Sequence, residues 1–378
     1  LSDYLIKQMG SLFTKKRSLD SLWQEIADHF YPERADFTIK RHIGEEFADH
    51  LMSGYPVQAR RDLGDSFSSM LRRGNEWFSI KLEREERETL EIKQWLEWAT
   101  GLMQRAMHDR GAKFIRATKE GDHDFAAFGQ CVISVELNHD IPRLLYRAWH
   151  LRDCAWMENQ NGDIDTFYRK WPAQARSLVK MFKNVHPSVV RAAEKDPFKE
   201  IPCFHCLVPG DSDKDPAYKS VYMDIENKQV MEEVKTNRFS YVIPRWSTVS
   251  GSQYAYSPAV IAALPDARLI QSVTLTLLEA GEKYTNPPLL ATQEAIRSDV
   301  NLMAGGITWV DSQYDERLGE VLRPISQDRG GFPIGFNMRD DVKSAINSAF
   351  YLDKLALPPQ GDMTAFEVSK RVQEYIRQ

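Results

Sequence analysis

The most constraining feature of this 378-residue chain is the pattern of its last third. Ile270, Val273, Leu277, Ala280 and Tyr284 step at helical intervals through Ala267–Tyr284. Asn286-Pro287-Pro288 ends that helix, because proline has no backbone N–H and fixes φ. A Gly- and Pro-rich excursion of about 50 residues follows, with strand fragments such as Ile307–Val310. Helix resumes at Met338, with Asn337 as its N-cap, and Val342, Ala345, Ile346, Ala349 and Phe350 share one face. Pro358-Pro359-Gln360-Gly361 breaks it. Thr364 and Glu367 then form a T-x-x-E capping box for a helix carried by Val368, Val372, Tyr375 and Ile376. At 1.5 Å per residue, two helices of roughly 18 residues each run about 27 Å. They can lie side by side while the excursion projects from their far end.

The first third also reads as helix. Leu19, Leu22, Trp23, Ile26, Ala27 and Phe30 make one apolar stripe that stops at Tyr31-Pro32. Further helices are predicted over Val57–Arg72, Arg87–Arg110 and Ala112–Phe128, with Gly111 as an end cap. Trp77–Ile80 reads as a short strand or anchor. The middle is α+β. Strands are predicted at Gln130–Leu137, Arg143–Trp149, Asp165–Trp171, Tyr218–Asp224 and Phe239–Trp246, and a helix at Ala173–Phe182. The Asn161-Gly162 step between two strand-like runs is a hairpin signal. The fold class is therefore α+β, mainly α.

Chemistry is sparse. Cys203-Phe204-His205-Cys206 is a lone C-x-x-C, and Cys131 and Cys154 lack the spacing to complete a zinc site, so buried thiols are expected. Asp211, Asp213 and Asp215 open like a calcium loop, but Pro216 and Tyr222 occupy the slots that need Gly and Glu. Asp122-His123-Asp124 reads as a solvated turn after Gly121. Arg60-Arg61, Arg72-Arg73 and Lys15-Lys16-Arg17 read as exposed basic patches, and Glu83–Glu91 as a solvated helix face. Most of the nine tryptophans fall at packing positions. No P-loop, G-x-G-x-x-G or G-x-S-x-G occurs. No catalytic residue, cofactor or metal is expected.

The net charge of −5 lacks the basic excess of a free nucleic-acid binder. Four scattered cysteines favour a reducing compartment. No uninterrupted apolar run approaches a membrane span, and Leu1–Gly10 lacks the apolar core of a signal peptide. The chain opens without Met and stops at Gln378 inside a helix-like pattern, as trimmed ends would.

Several stretches, in order, resemble the portal or head-to-tail connector proteins of short-tailed, podovirus-type bacteriophages. They are Trp23–Arg34, Ser66–Phe78 with its Trp77-Phe78 anchor, Phe128–Ile133, Pro244-Arg245-Trp246, Tyr254–Pro258, Tyr284–Leu289 and Met363–Val368. Ala255 stands where Gly is expected, and Phe366 in a slot often filled by Thr. The resemblance implies a portal fold assembled as a ring, typically of twelve subunits, at one capsid vertex. It implies a wing over 1–263, stem helices over 264–284 and 337–355, and a clip over 285–336. A tunnel loop would cover 356–363, with residues 364–378 starting a wing or crown helix. Double-stranded DNA would pass through without sequence specificity during packaging and ejection. The implied partners are the chain itself, the major capsid protein, terminase, tail adaptors and internal ejection proteins. Assembly would take place in the host cytoplasm, with no membrane involved. Candidate tunnel-lining residues are Arg339, Lys343 and Lys354 on the second stem helix and Pro358, Pro359, Gln360, Gly361 and Asp362 in the loop. A tail adaptor and a soluble hydrolase are the alternative readings.

Overall fold

The computed structural model describes residues 2–42, 44–46, 48–72, 74, 76–83, 89–138, 141–210, 216–285, 289–291, 322–324 and 331–355. About half of these are helical and the rest mix strand and loop, so the chain is α+β. They divide into two compact units. The first holds residues 1–49, 55–264 and 346–378, and the second 50–54 and 265–345.

In the first unit, α1 runs from Ser2 to Phe30. It begins well before the predicted stripe, because Leu5, Met9 and Leu12 extend the buried face toward the N-terminus. α2 covers Tyr55–Leu71, α3 Leu90–His108 and α4 Phe114–Phe128. Thr89 caps α3 through Oγ1, which accepts from the Ile92 amide at 3.4 Å. The α3 helix ends at His108 with Asp109 as its cap, rather than at Gly111, and Lys113 (φ 56°) makes the left-handed turn into α4. Trp77–Ile80 is not a strand. It is an extended anchor, with the Phe78 carbonyl accepting from Gln104 at 2.8 Å and the Ile80 amide donating to Thr100 at 3.0 Å.

Two antiparallel sheets follow. The first has the order β2-β1-β8, with β1 at Val132–Asn138, β2 at Arg143–Trp149 and β8 reduced to Tyr241–Val242. The second is a meander, β3-β4-β5-β6-β7. Its strands are Cys154–Glu158, Ile164–Gln174, Glu200–Pro209, Tyr218–Asp224 and Gln229–Thr236. The predicted Asn-Gly hairpin joins β3 to β4, with Gly162 at φ 82°. Leu5, Met9 and Leu12 of α1 pack against Tyr168, Phe204, Cys206 and Val221 on one face of the meander. On the other face, Cys203 and Ile201 pack with α5 (Ala175–Met181) and α6 (Pro187–Lys195). Strand alternation thus sends the two C-x-x-C thiols to opposite faces. All four cysteines are buried and free, and burial pushes Cys154, Cys203 and Cys206 up to about 12.

In the second unit, α7 spans Leu264–Thr285, entered from the first unit through a π-helical turn at Ala259–Ala263. A short ribbon pairs β9 (Leu289–Ala291) with β10 (Leu322–Pro324). α8 runs from Gly331 to Ala349, its last turn from Ile346 belonging to the first unit. It starts ahead of the predicted Met338, so Asn337 lies inside the helix and caps nothing. Pro333 is tolerated in the first turn, where its missing N–H has no helical partner to lose. α9 is a single turn at Leu352–Leu355. The predicted Ile307–Val310 fragment, the Asp211–Asp215 turn and everything from residue 356 onward lie outside the described residues.

Candidate functional site

Among the described residues, Trp23, Phe128–Ile133, Pro244-Arg245-Trp246 and Tyr254–Pro258 of the stretches that carry the family resemblance meet in the first unit, whereas Tyr284 lies in the second and Met363–Val368 lies outside the described residues. Trp23 on α1 is buried against Phe37, Phe128 and Tyr254, with ring centroids 5.6, 6.1 and 6.0 Å away. Gly129 ends α4 at φ 73°, and a Cβ there would lie 2.6 Å from the Tyr256 carbonyl carbon. Its carbonyl accepts from the Trp246 amide at 2.7 Å. Gln130 is fully buried, and its Oε1 accepts from the Ala255 amide at 2.9 Å. Trp246 packs on Phe67 and Phe125, and Arg245 ion-pairs with Glu158. This hub leads directly into Ser257-Pro258 and the π-helical turn that launches α7. The end of α8 returns to the same unit, where Phe350 packs on Phe30 at 5.4 Å and Tyr351 on Trp246 at 6.1 Å. The hub therefore anchors the roots of both long helices.

A polar layer braces α2 against α4. Asp122, His123 and Asp124 sit inside α4, not on a solvated turn. Three cations reach them. Arg34 grips buried Asp124 through two bonds of 3.0 and 2.7 Å. Arg72 pairs with Asp122. Arg60, only 3% exposed, donates to the Phe30 carbonyl at 3.1 Å and to His123 Nδ1 at 3.1 Å, and covers the Tyr31 ring at 3.9 Å. That bond leaves the His123 hydrogen on Nε2, 3.5 Å from Asp65. Burial and the Arg60 charge hold His123 below its ordinary value. Burial pushes Asp122 up to about 6 against the pull of Arg72. Arg60 is thus a buried strut rather than an exposed patch.

Lys16 also departs from its predicted surface position. It is 1% exposed and donates to the carbonyls of Leu151, Arg152 and Cys154 at 2.6, 3.1 and 2.8 Å, with Asp20 3.2 Å away. One ammonium therefore fixes α1 to the turn entering β3. Beside it, Asp36 accepts from His150 at 2.5 Å and from Arg152 at 2.6 Å. Burial opposes ionisation of Asp36, but these two partners outweigh it and hold the carboxyl below its usual range.

Between the two sheets, Arg169 lies 3.7 Å from the Trp149 ring and 4.5 Å from Trp171, and donates to the Tyr241 hydroxyl at 3.2 Å. His205, fully shielded, bonds Tyr241 and Ser220 at 2.7 and 2.8 Å and stacks on Tyr222 at 4.0 Å. Burial, with the Arg169 charge, drives its pKa well below the ordinary histidine value. Both ring nitrogens of His205 are bonded, so the cluster ties the two sheets together. Among the described residues no three His, Cys, Asp or Glu side chains cluster to hold a metal.

Of the candidate tunnel residues, two are brought together. Arg339 donates to Asp340 Oδ1 at 3.2 and 3.1 Å, and Lys343 lies 3.9 Å from the same oxygen. The two cations share one exposed carboxylate, and Arg339 also covers the Phe336 ring at 5.0 Å. The Lys354 backbone belongs to α9, and its side chain lies outside the described residues, as do Pro358, Pro359, Gln360, Gly361 and Asp362.

With this geometry in hand, comparison with known proteins defines the class. A family described as bacteriophage head to tail connecting protein matches residues 2–378. The chain belongs to that family, and is a portal or head-to-tail connector protein of bacteriophages. It is 26% identical over 397 residues to a probable portal protein of Bordetella phage BPP-1, covering 98% of this chain and 69% of the relative. It is 23% identical over 374 residues to a portal protein of Salmonella phage epsilon15, covering 92% of this chain and 64% of the relative.

Proposed function

We propose that the chain is a structural subunit of a ring, of about twelve copies, at one vertex of the virion capsid. The first unit serves as the wing, and α7 and α8 serve as the stem helices, with the segment between them as the clip. Double-stranded DNA passes through the ring during packaging and ejection. Terminase docks during packaging, and tail adaptors follow, while the wing meets the major capsid protein. No cofactor is required, and no enzymatic step is assigned to the chain.

One observation carries this reading beyond family membership. The helical run Ala259–Thr285 is long and apolar enough, by length and composition, to cross a membrane, yet only 22% of its best window is buried within the chain. Leu269, Leu275 and Leu278 on α7 and Ile334, Phe336 and Met338 on α8 remain exposed. A ring covers such helices with the neighbouring subunits, so a lipid environment is not needed. Closed cyclic symmetry requires just such heterologous contacts.

The electrostatics fit passage rather than grip. Twelve chains at −5 sum to roughly −60, a field that discourages tight phosphate binding. The loop 356–363 has no Lys or Arg. Asp340 lies against both Arg339 and Lys343 and tempers their attraction toward the duplex. The test is electron microscopy of the purified protein. Rings with a central hole wide enough for a duplex support the proposal. Discrete particles without a hole, together with catalytic turnover on a hydrolase substrate panel, would replace it with the enzyme reading.

A further inference from the structure

The turn between β3 and β4 carries the step Asn161-Gly162, the one place in the chain where glycine follows asparagine. Asn161, Gly162 and Asp163 are all exposed. The turn is built around its other asparagine. Asn159 Oδ1 accepts from the Asn161 amide at 2.9 Å and from the Asp163 amide at 3.0 Å. The side chain of Asn161 itself makes no hydrogen bond among the described residues. Gly162 sits at φ 82°, and even an added Cβ there would meet nothing within 4 Å. Its N–H donates to the Asn159 carbonyl at 3.1 Å, toward the long end of the normal range, in a turn open to water.

The other asparagines of the first unit's turns are held. Asn184 Nδ2 donates to the Val230 carbonyl at 2.9 Å and Asn227 Nδ2 to Asp224 at 2.6 Å, while Asn237 Oδ1 accepts from the Ala217 amide at 3.0 Å. Asn347, which precedes Ser348, lies inside α8, where each following amide is bonded four residues back.

Asparagine is a thermolabile residue, because the next backbone nitrogen can close a five-membered ring on its side-chain carbonyl carbon. Glycine in the next position brings no Cβ to obstruct that approach. We propose that Asn161 is a site of spontaneous deamidation and backbone isomerisation in the folded chain. The Gly162 nitrogen gives its proton to hydroxide and attacks Cγ of Asn161. A new nitrogen–carbon bond forms, the side-chain carbon–nitrogen bond breaks, and ammonia leaves after taking a proton from water, which returns the hydroxide. Water then opens the succinimide at either of its two carbonyls. One opening leaves an ordinary aspartyl residue. The other leaves an isoaspartyl linkage, in which the main chain runs through the former side chain. Nothing is oxidised or reduced, and water is the only co-reactant.

The two products differ in what they do to the hub. The Gly162 carbonyl accepts from Arg245 at 3.3 Å, and Arg245 also pairs with Glu158 and donates to the Gln253 carbonyl at 3.4 Å. The isoaspartyl linkage adds a methylene to the main chain just before Gly162, so it displaces that carbonyl and frees the turn from Arg245. The aspartyl product keeps the chain path and adds only a negative charge. This inference is independent of the ring reading above.

The test ages the full-length chain in mildly alkaline buffer beside a sample unfolded in urea. Peptide mass spectrometry follows each asparagine, and enzymatic methylation counts isoaspartate. In the folded chain, residue 161 should convert at least tenfold faster than Asn347, at a rate within tenfold of the unfolded sample and rising with pH. Gly162→Ala should slow the conversion at least tenfold in both samples. Isoaspartyl chains should be cut by protease at the β3–β4 turn sooner than the Asn161→Asp variant, which has the charge without the extra methylene. Conversion more than tenfold slower in the folded than in the unfolded sample would show that the turn shields the amide, and would overturn the proposal. Conversion that Gly162→Ala leaves unchanged would do so as well. Equal protease sensitivity of the isoaspartyl chain and the variant would overturn the release from Arg245.

Discussion

Gly129 allows the hub to close. Its left-handed φ and its contact with the Tyr256 backbone both exclude a side chain. Gly129→Ala should therefore lower unfolding stability by about 2–3 kcal/mol, read as a shift in urea midpoint with unchanged slope. Trp23→Ala should cost about 3–5 kcal/mol by the same measurement, since three rings lose their common neighbour. Asp122 supplies a pH signature. Its folded pKa of about 6 exceeds the ordinary carboxylate value, so its contribution to stability is complete at acid pH and is lost as pH rises through about 6. Asp36 has the opposite sign, because its carboxyl is held low and its contribution is lost as pH falls below the usual carboxylate range. Asp122→Asn should flatten the slope of stability between about pH 4 and 6, and Asp36→Asn should destabilise at neutral pH but not in acid. Denaturation series across pH separate the two. These charged residues were the least legible in the sequence. Consecutive acids after a glycine look like a turn, and Lys16 or Arg60 beside another cation looks like surface. Each is buried only because partners far along the chain, Arg34 for Asp124 and the Leu151–Cys154 carbonyls for Lys16, arrive to meet it.

At the scale of elements, periodicity was legible and boundaries only in part. The β2 and β6 strands match their predicted ranges, because alternation and turn residues act locally. Phe239–Trp246 shrinks to Tyr241–Val242 plus an isolated bridge at Arg245, since the hub draws the rest of that run into side-chain packing. The start of α8 was hidden for a similar reason. Gly335 reads as a loop residue, but in the helix it lies against α7, where an added Cβ would sit 2.7 Å from Leu277 Cδ2. Its absent side chain serves close helix approach. Ile346 and Phe350 are fully buried where α8 returns to the first unit. Ile346→Pro should cost about 3 kcal/mol or more and abolish assembly, because it breaks the helix at its root. Intact rings from that variant would contradict the helix assignment.

For the whole molecule, the family was legible in the order of its marks along the chain, and four of them meet in one hub. Trp23, Gly129, Trp246 and Tyr254 lie far apart in sequence and form one packed cluster. The exposure of α7 and α8 was not legible, because an apolar stripe looks the same whether it is buried within a chain or between chains. Deleting Leu357–Asp362 should leave assembly intact and impair DNA packaging or retention, measured as filled heads. Loss of rings on that deletion would make the loop structural. The account turns most directly on the native mass of the purified chain followed across protein concentration. It predicts a discrete species near twelve copies of 43.6 kDa, roughly 520 kDa, growing in at the expense of the monomer. A chain that stays at 43.6 kDa at every concentration, with α7 and α8 still exposed, would contradict it.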